Sequence, residues 1–396
     1  MKWLHSLMRE RDWAIAQPVR QPLDAPLLLW TTALLGIGLV MIASASVAIA
    51  ERLIGDPTFY LTRQGLYVGM GMALAVVIWQ IPMAIWQRLG PLMLMVAMLL
   101  LAIILIPGVG HTVNGSTRWL ALGPFNLQVS ELAKLAMIVY LAGYLVRRGE
   151  VVRTTVMGFI RPMILVAVAA VLLLAEPDFG AAVVITATAL GMMFLGGVRL
   201  WLFGLLMVIA SGLLAMLAIS SPYRMERLTA FLNPWADPFN SGFQLTQALI
   251  AFGRGEWFGV GLGSSVQKLF YLPEAHTDFL YAVLVEETGM LGGVVVIALF
   301  VLLIARTMQI GQRAAEAGQH FGSHLCYGVA IWIGMQAFIN MGVNMGLLPT
   351  KGLTLPLLSY GGSSILVTCA ALAMVMRVAM ELPGRGSGAR RKGDVA

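Results

Sequence analysis

The sequence predicts an all-α, polytopic integral membrane protein with ten transmembrane helices, and three properties of the chain lead to this prediction. Hydrophobic residues make up 59% of the 396 residues and charged residues only 11%, whereas about 25% of the residues in a soluble domain are charged. The mean hydropathy is +0.84. Apolar stretches near or above the roughly 17 to 25 residues that a spanning helix requires recur along most of the chain.

We count ten such stretches, and one interval between them is much longer than the others. In order, they cover residues 25–47, 65–82, 90–106, 128–146, 159–174, 180–197, 200–219, 279–305, 322–345 and 361–380. The long interval, residues 221–277, holds 57 residues and is predicted to form a large periplasmic loop between the seventh and eighth helices. The membrane domain then covers residues 25–380, between an N-terminal segment (1–24) and a basic tail (381–396).

The distribution of lysine and arginine orients these helices. With the N-terminus inside, the inner segments hold 17 lysine and arginine residues and the short outer loops hold 4, and such cations accumulate on the cytoplasmic side. Both termini are therefore predicted to be cytoplasmic. Inner-face arginines next to anionic membrane lipid account for the net charge of +7, so no nucleic acid partner is expected.

The long loop is rich in aromatic residues and glycine, which favours an ordered structure at the membrane surface, where aromatic rings lie at headgroup depth. A short surface helix is predicted inside it, because apolar residues recur there at helical spacing. They lie between Ser241, a candidate N-cap, and Gly253, which is expected to end the run: Leu245, Ala248, Leu249 and Phe252.

Cations on the predicted outer face are candidates for binding an anionic headgroup. They lie in the long loop and in two neighbouring outer loops: Arg118, Arg224, Arg227, Arg254, Lys268 and Lys351. The alternative interpretation is that they are snorkelling residues that anchor the loops at the membrane surface. Their spacing alone does not decide between the two.

Several polar residues fall inside or at the ends of the predicted spans. Glu131 and Lys134 are three residues apart, so they share a helix face and form either a structural ion pair or the lining of a polar cavity that meets a substrate. Glu176 and Asp178 flank a proline at a sharp outer turn, where turn chemistry is expected. A further pair on the ninth span is expected to knit helices together: Asn340 and Asn344.

Asp278 is the first candidate for chemistry. It lies at the end of the long loop, beside His276 and Glu274, where water meets hydrocarbon and a carboxylate is costly without a partner or a task. The alternative is that Asp278 or Thr277 simply caps the helix that begins at Phe279. Glu286 lies eight residues further on and extends a partial polar stripe into the same helix.

From residue 113 to residue 362 the chain resembles the SEDS (FtsW/RodA/SpoVE) family of bacterial peptidoglycan glycosyltransferases, and the resemblance is to the division branch of that family. Eight motifs carry it in order: NGSTRW, SELAKL, AEPDFG, FLNPWADPFNSGFQLTQALIAFGRG, GLGSSVQKL, YLPEAHTDF, EETG and LPTKGLTLPLLSYGGSS. Three positions depart from the family pattern. Val129 replaces a usual proline, Glu176 stands where glutamine is common, and Phe270 stands where several relatives carry a carboxylate.

The resemblance implies that the protein polymerises lipid II on the outer face of the bacterial inner membrane, at the division septum. The products are β-1,4-linked glycan strands and undecaprenyl pyrophosphate. It also implies a divalent cation (Mg or Mn), a cognate class B penicillin-binding protein (the transpeptidase FtsI) and the regulators FtsQ, FtsL, FtsB and FtsN. Asp278 matches the catalytic aspartate, with a second role in holding the cation left open. The candidates for substrate contacts are Arg118, Glu131, Lys134, Arg254, Lys268, His276 and Lys351.

The residues suit this chemistry. A sugar hydroxyl that attacks an anomeric carbon needs one carboxylate to take its proton, and a pyrophosphate leaving group needs positive charge rather than a general acid. A helix amino terminus and nearby cations would lower the pKa of Asp278, whereas apolar surroundings would raise it. Two rival hypotheses remain open: a flippase that translocates lipid II, and a non-catalytic scaffold that recruits the transpeptidase.

Overall fold

The computed structural model of the protein is a bundle of apolar helices that carries a small β-sheet. It describes residues 22–113, 116–122, 125–205, 208, 212, 231–240, 242–349 and 352–383. The helices are α1 (Ala25–Ile54), α2 (Phe59–Gln80), α3 (Met83–Ile104), α4 (Val129–Thr154), α5 (Val156–Ala175), α6 (Phe179–Leu195), α7 (Phe243–Gly255), α8 (Leu280–Glu316), α9 (His320–Asn344) and α10 (Gly362–Glu381).

Eight of the described helices are long and apolar enough to span a membrane, namely all except α6 and α7. The apolar helix α6 has 17 residues and matches the sixth predicted span. The predicted span at residues 200–219 is helical at 200–205 and lies largely outside the described residues. The all-α membrane fold is thus confirmed, whereas the count of ten spans stays a prediction.

The bundle has an inner and an outer group of helices. In the most apolar window of α4 and of α10, 83% of the residues are buried, but in that of α2 only 22% are. Helix α9 packs against α4, α6, α8 and α10, while α2 packs on α10 and α3 on α4. The buried helices α4, α9 and α10 therefore form the centre of the bundle, and α2 and α3 present their apolar side chains outward, as lipid-facing helices do.

A three-stranded antiparallel sheet, which the sequence analysis did not predict, connects α3 to α4. Its strands are β1 (Gly110–Val113), β2 (Ser116–Leu122) and β3 (Phe125–Gln128), in the order β1-β2-β3. Trp119 pairs with Gln128 and Leu120 with Leu127. The sheet carries Arg118 to the end of the bundle where α4 begins.

Local chemistry explains the helix ends around the polar turns. Asp24 caps α1 by accepting a hydrogen bond from Leu27 N, and Thr155 separates α4 from α5 and caps the latter through Gly158 N. Asp178 caps α6 by accepting from Ala181 N, which confirms the predicted turn chemistry of this residue.

Helix α8 is interrupted at Gly289, and the long loop passes through the interruption. Gly289 has φ +73° and ψ −176°, a conformation that is accessible essentially only to glycine. Loop groups take the place of helix hydrogen bonds there, from Val260 N to Glu286 O (3.0 Å) and from Met290 N to Glu256 O (2.9 Å). The loop is thereby fixed to α8 through backbone hydrogen bonds.

The short helix predicted in the long loop is confirmed as α7, with two corrections, while its place on the membrane surface stays a prediction. It begins after Gly242, which contributes no side-chain cap, and it continues through Gly253 to Gly255. Ser241 lies outside the described residues. Helix α7 packs against the start of α8, and its buried face is formed by residues at the predicted helical spacing, with Leu245, Ala248 and Ala251 at its centre.

Candidate active site

Asp278 lies in the turn that leads into α8, and it does not cap that helix. The N-cap position is Phe279, which makes no side-chain capping hydrogen bond. The Thr277 hydroxyl donates instead to Glu274 Oε2 (2.7 Å). The capping interpretation of these two residues is therefore wrong, and the carboxylate of Asp278 is available for another role.

The surroundings of Asp278 come from three parts of the chain. Its backbone carbonyl accepts hydrogen bonds from Asn340 Nδ2 (2.8 Å) and Asn344 Nδ2 (2.9 Å) of α9. Its carboxylate faces the segment after the ninth helix, since a Cβ atom added to Gly352 would lie 2.8 Å from Asp278 Oδ2. Within the described part of the chain, no hydrogen bond or ion pair reaches this carboxylate.

Burial dominates the electrostatics of Asp278. The side chain is partly buried, and desolvation, aided by the negative charges of Glu274 and Asp178, raises its pKa from an ordinary value of 3.8 to about 7. Arg118 opposes this rise. Desolvation thus outweighs the charge of Arg118, and the carboxylate has the basicity that proton abstraction near neutral pH requires.

Arg118, a predicted substrate contact, acts electrostatically on the candidate base, while its contact with substrate stays a prediction. Its guanidinium donates to Pro177 O (2.7 Å) and lies 3.9 Å from Asp178 Oδ1. Ser130 Oγ also donates to Asp178 (3.0 Å). The turn between α5 and α6 therefore holds a cation on the same side of the bundle as Asp278.

Glu176 in the same turn is fully buried, and neither carboxylate oxygen has a hydrogen-bond partner among the described residues. Desolvation, together with the charge of Asp178, raises its pKa to about 8, while Arg118 opposes the rise. A carboxyl group in this environment is mostly neutral at pH 7.

Glu131 and Lys134 form the predicted ion pair, with 2.7 Å between Lys134 Nζ and Glu131 Oε1. Both are buried, and Lys134 also donates to Gln336 Oε1 (2.7 Å). Gln336 Nε2 in turn donates to Thr354 O (3.0 Å). The pair therefore belongs to a network that supports the segment facing Asp278, while its contact with substrate stays a prediction.

Arg254 and Lys268 are engaged by two buried glutamates at the start of α8. Lys268 Nζ lies 2.7 Å from Glu287 Oε1, and Arg254 lies 3.6 Å from Glu286 Oε1. Ser44 of α1 donates to the Glu287 carboxylate as well (2.6 Å). The structure thus places these two cations in loop-anchoring pairs, and their predicted headgroup contacts stay untested.

His276 is buried in an aromatic cluster rather than exposed beside Asp278. Its ring centroid lies 4.7 Å from that of Tyr60 and 5.8 Å from that of Tyr360. Burial lowers the pKa of the imidazole, and Glu274 opposes this shift. The neutral ring ties the loop to α2, and Tyr360 N donates to His276 O (3.0 Å).

Three predicted cations lie outside the described residues: Arg224, Arg227 and Lys351. A group of three or more His, Cys, Asp or Glu side chains able to hold a metal is not found among the residues that the structure describes. Magnesium is commonly bound by one or two carboxylates together with substrate phosphates. Asp278 therefore fits a cation that is shared with a pyrophosphate, rather than one held by protein ligands alone.

The side-chain amides of α9 contact distant loops, whereas the sequence predicted only contacts between helices for two of them. Gln336, Asn340 and Asn344 recur every four residues, and this spacing places all three on one helix face. That pattern was visible in the sequence, but the groups that the amides contact, Thr354 O and Asp278 O, belong to distant loops.

Comparisons with known proteins give consistent matches. The profile of a family described as cell cycle protein (FtsW/RodA/SpoVE) matches residues 25–383. A probable peptidoglycan glycosyltransferase FtsW of Nitrosococcus halophilus is 62% identical over 368 residues, which are 93% of this chain and 95% of that protein. One of Legionella pneumophila with the same description is 54% identical over 90% of this chain and 93% of that protein.

Two solved structures are similar as well. A chain from a peptidoglycan synthase complex, described as coordinating polymerization and crosslinking, has a TM-score of 0.75 and 30% identity, over 90% of this chain and 97% of that chain. The rod shape determining protein RodA of Thermus thermophilus has a TM-score of 0.65 and 28% identity, over 90% of this chain and 96% of that chain.

Proposed function

The chain belongs to the FtsW/RodA/SpoVE family of cell cycle proteins, and from this membership we propose that it is a peptidoglycan glycosyltransferase that polymerises lipid II for the septal cell wall. The family resemblance inferred from the motifs is thereby confirmed. The observation that carries the proposal is the partly buried carboxylate of Asp278, whose pKa is raised to about 7.

Asp278 acts as the general base. It takes the proton of the acceptor sugar hydroxyl while the hydroxyl oxygen forms a bond to the anomeric carbon of the donor and the bond from that carbon to the pyrophosphate oxygen breaks. One carboxylate is sufficient, because a pyrophosphate leaves as an anion and needs no general acid. Attack from the face opposite the leaving group inverts the anomeric carbon and gives the β-1,4 linkage.

Positive charge stabilises the departing undecaprenyl pyrophosphate. Arg118 is the described cation whose charge acts on Asp278, and we assign it to the pyrophosphate, with Lys351 as a second candidate. Asp278 would be the residue to hold a divalent cation, Mg or Mn, which would supply further neutralisation of the phosphate charge. The remaining candidates support the site: Lys134, Glu131, Arg254, Lys268 and His276. Lys134 does so through Gln336, Arg254 through Glu286 and Lys268 through Glu287.

The relatives and neighbours also support partners and a location. The structural neighbour from a peptidoglycan synthase complex favours a cognate class B penicillin-binding protein, which we identify as the transpeptidase FtsI. The regulators FtsQ, FtsL, FtsB and FtsN, the growing glycan strand and the membrane lipid complete the proposed set. We place the protein at the septum in the inner membrane, with Asp278 on the periplasmic side and both termini in the cytoplasm.

Purified protein with its cognate transpeptidase and lipid II tests the proposal. Wild type is expected to form glycan polymer, and Asp278→Ala is expected to form none, because the substitution removes the proposed general base. Translocation of lipid II in vesicles that survives Asp278→Ala, without polymer from wild type, would support a flippase. Normal division by the Asp278→Ala strain would support a scaffold.

The matched control is Glu256→Gln, which removes the same charge from the same loop. Glu256 is exposed, so its variant is expected to polymerise lipid II at the wild-type rate. A comparable loss in both variants would point to loop charge in general and against a specific base at position 278.

A further inference from the structure

Three buried amides on one face of α9 contact the backbone on both sides of the candidate base. Gln336, Asn340 and Asn344 are each at most 2% exposed. Buried amides in an apolar helix are costly unless their hydrogen bonds are made. We propose that Asn340 and Asn344 are positioning residues for Asp278, an inference that rests on the proposed function and deepens it.

Asn344 fixes the turn that ends at α8. Its Nδ2 donates to Asp278 O (2.9 Å), and its Oδ1 accepts from Ala282 N (3.1 Å), which also contacts Phe279 O. Phe279 cannot cap α8 with its own side chain. The amide from α9 therefore supplies the capping acceptor that the local sequence lacks and holds the residue before the helix at the same time.

Asn340 joins the base to the segment that faces it. Its Nδ2 donates both to Asp278 O (2.8 Å) and to Leu353 O. Leu353 follows Gly352, whose added Cβ would lie 2.8 Å from Asp278 Oδ2. The side-chain nitrogen of Asn340 thus sets the distance between the backbone of Asp278 and the segment at Gly352 and Leu353 that its carboxylate faces.

The rate of proton abstraction depends steeply on this placement. A displacement of about 1 Å in a reacting group costs roughly 100-fold in rate. Substrate binding depends on other groups, so loss of either amide is expected to lower kcat far more than it changes KM.

Asn340→Leu and Asn344→Leu test the inference, since leucine is close to asparagine in size and makes no hydrogen bond. We expect each to lower kcat for lipid II polymerisation by roughly 10- to 100-fold with KM within about twofold of wild type. The matched control is Gln64→Leu. Gln64 is a buried amide on α2 that donates to Ser359 O (3.2 Å) and does not contact Asp278, so its variant should retain the wild-type kcat.

A wild-type kcat in both asparagine variants would overturn the inference, and so would an equal loss in Gln64→Leu. If the asparagine variants do not fold, as judged by thermal unfolding in detergent, Gly352→Ala decides. Its new Cβ would displace the carboxylate from the opposite wall, so kcat should fall in the same way, and an unchanged kcat would contradict the inference. Two further results in the same assay separate the inference from the proposed function. An active Asp278→Asn variant would show that Asp278 is not the base and would remove the premise of the inference, whereas a wild type that forms no polymer would contradict the proposed function itself.

Discussion

Asp278 and the pair Glu286 and Glu287 lie within ten residues of one another around the start of α8. They differ in the hydrogen-bond donors that surround their carboxylates. Glu286 accepts from Ser265 Oγ, Val266 N (3.1 Å) and Gln267 N (3.4 Å), with Arg254 nearby. The Asp278 carboxylate accepts no hydrogen bond from the described residues, although its backbone is held firmly.

The difference separates a structural role from a chemical one. Glu286 and Glu287 are fully buried, and the donors around them repay the desolvation of their charge. They tie the long loop and, through Ser44, helix α1 to α8. Asp278 has no such compensation from the residues that the structure describes, so its charged form is disfavoured and its pKa is raised to about 7. Within one short segment, carboxylates paired with donors stabilise the fold, and a carboxylate that accepts no hydrogen bond from the described residues is kept basic.

The largest expected effect on stability is that of Glu287→Gln. The substitution leaves Lys268, whose side chain is 8% exposed, without its charge partner, and removing one member of a buried pair costs about 3–5 kcal/mol. Unfolding in detergent, followed by circular dichroism, measures the loss. The double variant Glu287→Gln with Lys268→Met should recover part of it, and an additive loss in the double variant would show that the pair is not coupled.

Gly289→Ala is expected to have the next largest effect on stability. The added Cβ would overlap the backbone of Trp257, and the conformation at φ +73° and ψ −176° costs a non-glycine residue about 1–3 kcal/mol before any overlap is counted. The same unfolding assay applies. Gly36→Ala, at a helical position with open space, is the control and should leave stability unchanged or slightly raised. Equal losses in the two variants would contradict the close packing of the long loop against α8 at Gly289.

The pH dependence of the wild type sharpens the contrast at Asp278. The base must be ionised, so kcat/KM is expected to fall about tenfold per pH unit below about 7, the raised pKa of Asp278. Stability moves the other way. The pKa of Asp278 is about 7 in the folded state and near 3.8 in the unfolded state, so the folded state binds the proton more tightly. The free energy of unfolding therefore falls as the pH rises from about 4 to 7.

Glu176, with a pKa raised to about 8, contributes to stability with the same sign. In Asp278→Asn, the free energy of unfolding should therefore still depend on pH through Glu176, and the contribution of Asp278 to this dependence should be lost. A rate that is flat between pH 5.5 and pH 8, measured at constant cation concentration, would rule out a base of this pKa.

Arg254→Gln is expected to have the smallest effect. The Arg254 side chain is 40% exposed and lies 3.6 Å from Glu286, and exposed pairs contribute about 0–1 kcal/mol. Glu286 keeps its hydrogen bonds from Ser265 and from two backbone N–H groups. A loss as large as that of Glu287→Gln would show that Arg254 is essential for anchoring the long loop to α8, and it would contradict the minor role expected for this exposed pair.

The sequence was sufficient for the long helices and for selecting Asp278 as the candidate base, a role that stays a prediction. It was insufficient for most of what surrounds Asp278. Apolar length predicts a spanning helix directly, and nine of the ten predicted stretches coincide with described helices. Asp278 was selected by its place at the end of the long loop and by its match to the catalytic aspartate of the family. The partners of Glu286 and Glu287 depend on the interruption at Gly289, which brings together residues about 20 positions apart and leaves no periodic signal.

The small sheet was missed for a related reason. Its strands have 4, 7 and 4 residues, so two of them are too short for alternation to be recognised. The role of Asn340 was likewise underestimated, because spacing places an amide on a helix face but does not name the carbonyl groups across from it.

The most direct measurement compares rate and stability in Asp278→Asn, a variant that keeps the shape of the side chain and removes its charge. We expect the initial rate of lipid II polymerisation to fall by roughly 10²- to 10⁴-fold, while the free energy of unfolding at pH 8 stays the same or rises, because a poorly compensated charge is lost. A polymerisation rate close to that of wild type, or a loss of stability as large as that of Glu287→Gln, would contradict the account of Asp278 as a catalytic base with a raised pKa.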